Sequence, residues 1–125
     1  MTSEELNKRY EDKRKEIREY MKIIGDALVE KYSTIPDAYL VSLDMLVFNL
    51  DILYDSIDEM KANGLTSEDK YHGTRKSSGL QAFFNAQAYI HKIINSFGLT
   101  PMAKSKLREK QDEIDLKEYL DEITK

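Results

Sequence analysis

Apolar residues recur at spacings of three and four through most of the chain, the period of an α-helix. Leu6, Tyr10, Ile17, Met21, Ile24 and Leu28 mark one face of a first helix predicted over residues 3–32. Ser3 suits its N-cap, and Glu4 and Glu5 suit the positive end of its dipole. Its first half is thinly apolar. Between Leu6 and Ile17 lie Lys8, Arg9, Lys13, Arg14 and Lys15, interleaved with Glu11, Asp12 and Glu16. Such a mixture reads as a solvated face with pairs four apart, or as a basic surface able to touch DNA.

Ile35-Pro36 interrupts the pattern, because a residue before proline disfavours helix. A second helix is predicted from about Asp37 to Asn63, stopped by Gly64. It is unusually apolar. Tyr39, Leu43, Leu46, Leu50, Leu53 and Ile57 form one broad face; Val41, Met45, Phe48 and Ile52 form a second, narrower one. Two polar stripes separate them, Asp37, Asp44, Asp51 and Asp58 on one side and Ser42, Asn49 and Ser56 on the other. The broad face is enough for an internal core. The narrow face, Val41, Met45, Phe48 and Ile52, is therefore expected at a subunit interface, unless helices one and three cover both faces within a monomer.

Residues 64–78 form a polar connector whose flanks can pair as a short hairpin around a turn at His72-Gly73. A third helix is predicted from Leu80 to Phe97, with Leu80, Phe83, Phe84, Ile90, Ile93, Ile94 and Phe97 as its core stripe. A stop and a start follow at once. Gly98 can close the third helix in the left-handed conformation, Leu99 can fold back on it, Thr100 can cap a fourth helix and Pro101 fits that helix's first turn. The fourth helix runs to about Lys110. Asp115 to Glu118 resembles a capping box for a last short helix over Leu116 to Ile123, although the acidic tail 111–125 can equally stay disordered until bound. The expected fold class is all-α: a long N-terminal helix, a central apolar helix, a third core helix and a short C-terminal helix, assembling through helix packing. Residues 1–110 read as one helical domain.

Composition narrows the class. With 125 residues, 34% of them charged and no cysteine, the chain makes one domain at most, without disulfides or thiolate metal sites. No apolar run approaches the roughly 18 residues of a membrane span, and Met1 to Glu5 lacks the basic start and apolar stretch of a signal peptide. A cytoplasmic location is expected. Net charge is −4 but unevenly spread. Residues 1–36 hold 8 basic and 8 acidic side chains, residues 37–69 hold 1 and 8, residues 70–110 hold 8 and 1, and residues 111–125 hold 2 and 6. The segment of charge +7 is either a footprint for an anionic partner, nucleic acid first, or the counterpart of the −7 segment within the chain or between subunits.

No catalytic residue, cofactor site or metal site is expected. His72 and His91 lack ligand-like partners at metal spacing. Asp44 and Asp51 stand two helical turns apart, too far to share a proton, and Asp55, Asp58 and Glu59 read as an acidic helix flank sooner than a cation site. There is no phosphate-binding glycine loop and no nucleophile beside a base. The helix after Gly98 opens Met102-Ala103-Lys104-Ser105-Lys106, without the Asn or Gln that would read adenine edges. Its lysines suit phosphate contact.

Gly98-Leu99-Thr100-Pro101, followed by two small or neutral residues, Lys104, Ser105, Lys106 and Leu107, resembles the C-terminal signature of a family of phage terminase small subunits. The helix before it and the apolar helix further back are similar too, over roughly residues 34 to 108, although only Phe97 to Leu107 is specific. Lys104 and Lys106 stand where the family usually has arginine, and Ser77-Ser78 where it often has Asn-Pro. Lysine does not reproduce arginine's two-pronged fork. The resemblance implies a non-catalytic DNA-packaging protein in the cytoplasm of the bacterial host. It would bind double-stranded viral DNA, assemble with itself as a ring and direct the large subunit, which supplies ATPase and nuclease. The expected phosphate-contacting residues are Lys104, Lys106, Arg108 and Lys110, with Arg75 and Lys76 from the connector; the rival set is Lys8, Arg9, Lys13, Arg14 and Lys15. Two other readings stay open: a small DNA-binding regulator with a helix-turn-helix centred on Gly98, and a protein-only helical adaptor.

Overall fold

The computed structural model describes residues 1–63, 66–69, 73–76 and 78–112, with side chains for residues 1–62 and 79–110. The described fold is all-α with one small hairpin: α1 (Ser3–Arg9), α2 (Lys15–Tyr32), a 3-10 turn (Asp37–Tyr39), α3 (Leu40–Asn63), β1 (Thr66–Asp69), β2 (Gly73–Lys76), α4 (Ser78–Ser96) and α5 (Pro101–Asp112).

The predicted first helix is two helices. Positions 13 and 14 would continue the apolar stripe from Tyr10 to Ile17, but they are Lys13 and Arg14, so nothing apolar holds a helix through them. The chain turns at residues 10–14 and α1 folds back along α2. Gly25 permits the close approach: a Cβ there would sit 3.1 Å from Leu6 and 3.4 Å from the Ser3 hydroxyl. The α1 cap is Thr2, not Ser3; its hydroxyl accepts from the Glu5 amide at 3.1 Å. Ser3 instead donates to Asp26 at 2.7 Å, tying α1 to α2.

α3 is the central element. Leu43, Leu46, Val47, Leu50, Leu53 and Met60 are buried, and Tyr39 and Ile57 are partly so. Asn49 and Ser56 are buried as well, although their stripe reads as solvent-facing. Each returns a hydrogen bond to its own helix, Asn49 to the Met45 carbonyl at 2.8 Å and Ser56 to the Ile52 carbonyl at 2.6 Å. A polar group satisfied this way tolerates cover. The cover is α4. A Cβ on Gly79 would meet Glu59 at 3.2 Å and Met60 at 3.3 Å, so α4 runs along the line of Asn49, Ser56 and Met60. α4 contributes Leu80, Phe83, Ala86, Ile90 and Ile94, while α2 contributes Ile17, Tyr20, Met21, Ile24 and Leu28 to the same core. Phe84, predicted as core, is 46% exposed. It lies past the edge of the buried arc and packs edge-on against Phe83, ring centres 5.7 Å apart.

Between α3 and α4, β1 and β2 pair antiparallel with Thr66 opposite Lys76 and Asp69 opposite Gly73, as the connector's flanks suggest. The turn residues 70–72 lie outside the described residues. So do 113–125, and with them the predicted last helix.

The α4–α5 junction follows the sequence closely. Gly98 has φ +60° and Leu99 is buried. The Thr100 hydroxyl accepts from the Ala103 amide at 3.3 Å, and Pro101 is the first residue of α5. Lys31, at the end of α2, donates to the Gly98 carbonyl at 2.8 Å and the Phe97 carbonyl at 3.3 Å. A cation thus sits on carbonyls left open at the negative end of α4. α5 then lies across α2, burying Ala103 and Leu107.

Gly98→Val is expected to destabilise the fold by roughly 1–2 kcal/mol or more, because a β-branched residue is forced to positive φ. Its Cβ would also stand 2.9 Å from the Lys31 ammonium. Thermal unfolding of the variant beside wild type measures this; equal melting temperatures would refute it.

Candidate nucleic-acid interface

Cations of the N-terminal segment divide into two sets. Arg9, Lys13 and Arg14, on and after the end of α1, reach the aspartate stripe of α3. Arg9 grips Asp44 with both prongs, Nε to Oδ1 at 3.0 Å and Nη2 to Oδ2 at 2.6 Å, while the Tyr10 hydroxyl donates to the same carboxylate at 2.6 Å. Lys13 donates to Asp51 at 3.0 Å and Arg14 to Asp58 at 3.4 Å. Arg14 also lies over the Tyr54 ring, 4.8 Å from its centre. Asp44, Asp51 and Asp58 are seven residues apart, so they form one line along α3. Every pair is partly solvated and worth little alone. Together they set where the α1–α2 turn lies on α3.

Three aspartates of the acidic segment thus draw their countercharge from the neutral N-terminal segment, where composition pointed to the +7 segment. A signal was present. The aspartate stripe has no basic residue on α3 until Lys61, so its countercharge had to come from elsewhere. Three members of the rival DNA set, Arg9, Lys13 and Arg14, are committed to this ladder.

Residues expected to contact DNA fall in four places. Lys104 and Arg108 share one exposed flank of α5 and carry no ion pair among the described residues. Lys106 is exposed on the opposite flank, where it borders a groove of about 300 Å³ with Asp26 and Glu30 of α2. Lys110 faces α2 and donates to Glu19 at 2.8 Å. Arg75 and Lys76 lie on β2. Lys104 and Lys106 thus point apart, from opposite flanks of α5.

Of the narrow α3 face, Val41, Met45 and Phe48 are 73%, 50% and 59% exposed. The first and third predicted helices leave them uncovered. Ile52 differs: it is partly buried and packs on the core.

Among the described residues no group of three or more histidine or carboxylate side chains is placed to hold a metal ion. No described helix is long and apolar enough to cross a membrane.

The chain matches the family described as phage terminase, small subunit, over residues 19–113. The chain belongs to this family. No curated protein and no solved structure matches. The matched stretch begins inside α2 and takes in α3, α4 and α5, so it covers the α3 face and the α4–α5 junction, whereas α1 and the start of α2 precede it.

Among the described residues, two carboxyls have their pKa lowered by this architecture. The Arg9 guanidinium hydrogen-bonded to Asp44, aided by the Tyr10 hydroxyl, holds that carboxyl below the usual carboxylate range. The hydrogen bond from Lys110 does the same for Glu19. A carboxyl whose pKa is lowered on folding stabilises the fold above its unfolded pKa and loses that contribution as pH falls through its folded value. Melting temperature is therefore expected to drop as pH is lowered below about 4. Asp44→Asn should melt lower than wild type at neutral pH and show a shallower acid decline. An unchanged acid profile in the variant would detach Asp44 from the fold's acid sensitivity.

Proposed function

We propose that this chain is the DNA-recognising, non-catalytic subunit of a phage packaging machine. It binds double-stranded viral DNA, assembles with itself as a ring and directs the large subunit, which supplies ATPase and nuclease, in the cytoplasm of the infected bacterium. Family membership over residues 19–113 is the observation that carries this reading. Residues 1–110 act as the oligomerisation and DNA-packaging unit, with 111–125 as an acidic extension.

Self-assembly is supported by Val41, Met45 and Phe48, three large apolar side chains left in water on one line of α3. Ile52 extends that line into the core. Phosphate contact is assigned to Lys104 and Arg108 on one flank of α5, Lys106 on the other, and Arg75 and Lys76 on the hairpin. Lys110, expected among them, instead neutralises Glu19 and so keeps that carboxylate from repelling phosphate. A ring suits this scatter. Weak contacts from several subunits add along one duplex even though each subunit presents only part of its set.

Native mass at tens of micromolar, about the range in which stable interfaces fill, tests assembly. Wild type should be a multimer and Phe48→Asp a monomer, since an unpaired charge in an apolar interface costs several kcal/mol. A monomeric wild type would defeat the assembly reading. For DNA, Lys104→Ala combined with Lys106→Ala should weaken binding evenly across sequences. It should flatten the slope of log affinity against log salt by about 0.9 for each phosphate that the variant no longer touches. An unchanged slope would remove α5 from the interface.

A further inference from the structure

Between α1 and α2 lies a groove of about 640 Å³. We propose that it is a second binding site for the phosphate backbone of duplex DNA, held by Lys8, Lys15, Arg18 and Lys22. The proposal rests on the reading that the chain binds DNA, and adds a surface which that reading leaves out.

Tyr10 and Met21, both buried, form the floor of the groove. Lys8 stands on the α1 wall. Lys15, Arg18 and Lys22 stand on the α2 wall at spacings of three and four, hence on one face of the helix. From residue 15 to residue 22 the helix rises about 10.5 Å. A nucleic-acid strand advances about 3.4 Å per phosphate along the duplex axis, so the row spans about three phosphates.

The charge balance favours an anion. Lys8, Arg18 and Lys22 are exposed and carry no ion pair among the described residues; Lys15 has only a 3.8 Å approach to Glu19. Two carboxylates, Glu11 and Glu19, also line the groove. Glu19 is already met by Lys110 at 2.8 Å. Folding sends Arg9, Lys13 and Arg14 to α3, so the groove's own cations are the ones left for a partner. A repeating anion fits an evenly spaced row of flexible cations along an open groove better than a compact ligand does. The groove is built mostly from residues ahead of 19, before the stretch matched to the family.

The test is a salt titration of the full chain with a duplex of about 30 base pairs, from about 50 to 200 mM salt, read by fluorescence anisotropy. Lys8→Ala with Arg18→Ala and Lys22→Ala should lower the slope of log affinity against log salt by about 2.7 if all three touch phosphate. Glu11→Gln, which removes an anion from the groove, should tighten binding by about two- to fivefold. The second variant answers the question even if the triple variant fails to fold. Wild-type slope in a folded triple variant, or unchanged affinity in Glu11→Gln, overturns the groove while DNA binding by the chain stands. Wild type that binds no DNA overturns both readings.

Discussion

α3 carries more apolar surface than a helix can leave in water, and covering it decides where the other elements go. Its buried side chains occupy about half the helix circumference, from Asn49 and Ser56 round through Leu46 and Leu50 to Val47. No single helix covers that arc. α4 takes the side of Ser56 and Met60, and α2 helps to close the remainder of the core. Once both are in place, the acidic line of α3 faces the α1–α2 turn, and Val41, Met45 and Phe48 remain outside. The uncovered strip is thus what the described helices leave over.

Electrostatics works within that frame as a set of address labels more than as a source of stability. Pairs between partly solvated side chains contribute little net energy, yet they differ sharply in register. A shift of α3 by one residue would break the match of Asp44, Asp51 and Asp58 with Arg9, Lys13 and Arg14. Lys31 acts at the other end of α2 in a comparable way, reaching the last carbonyls of α4. α2 is therefore held at both ends by charge and along its length by packing.

Much of this was legible in the residues. The extents of α3 and α4 follow from helical spacing, and the α4–α5 junction follows from the chemistry of Gly98, Thr100 and Pro101, because each of those is a local constraint. The break at residues 10–14 was harder to see. Glu, Lys and Arg are all good helix formers, and Tyr10 and Ile17 are seven residues apart, which keeps one face in phase across a continuous helix. Only the pairing of that stretch with α3 and the fit of Leu6 over Gly25 make a turn the better solution, and both are contacts between distant residues. The burial of Asn49 and Ser56 was hidden for a similar reason. Their polarity suggested water, but each can be satisfied by its own helix once another helix lies on top.

The same distinction explains why the candidate interface was only partly legible. Composition located a basic segment but not which cations face outward. Lys110 lies within hydrogen-bonding distance of Glu19, and Lys106 stands near Asp26 and Glu30, whereas Lys104 and Arg108 look into solvent. In the neutral N-terminal segment the reverse holds. Equal numbers of both signs conceal a strong division, because folding pairs one set of cations with α3 and gathers another along a groove. What an anionic partner meets is the charge left over after folding. Among the described residues that remainder includes cations of α5 and of the α1–α2 hairpin, and weak contacts scattered in this way add when several copies present them along one partner.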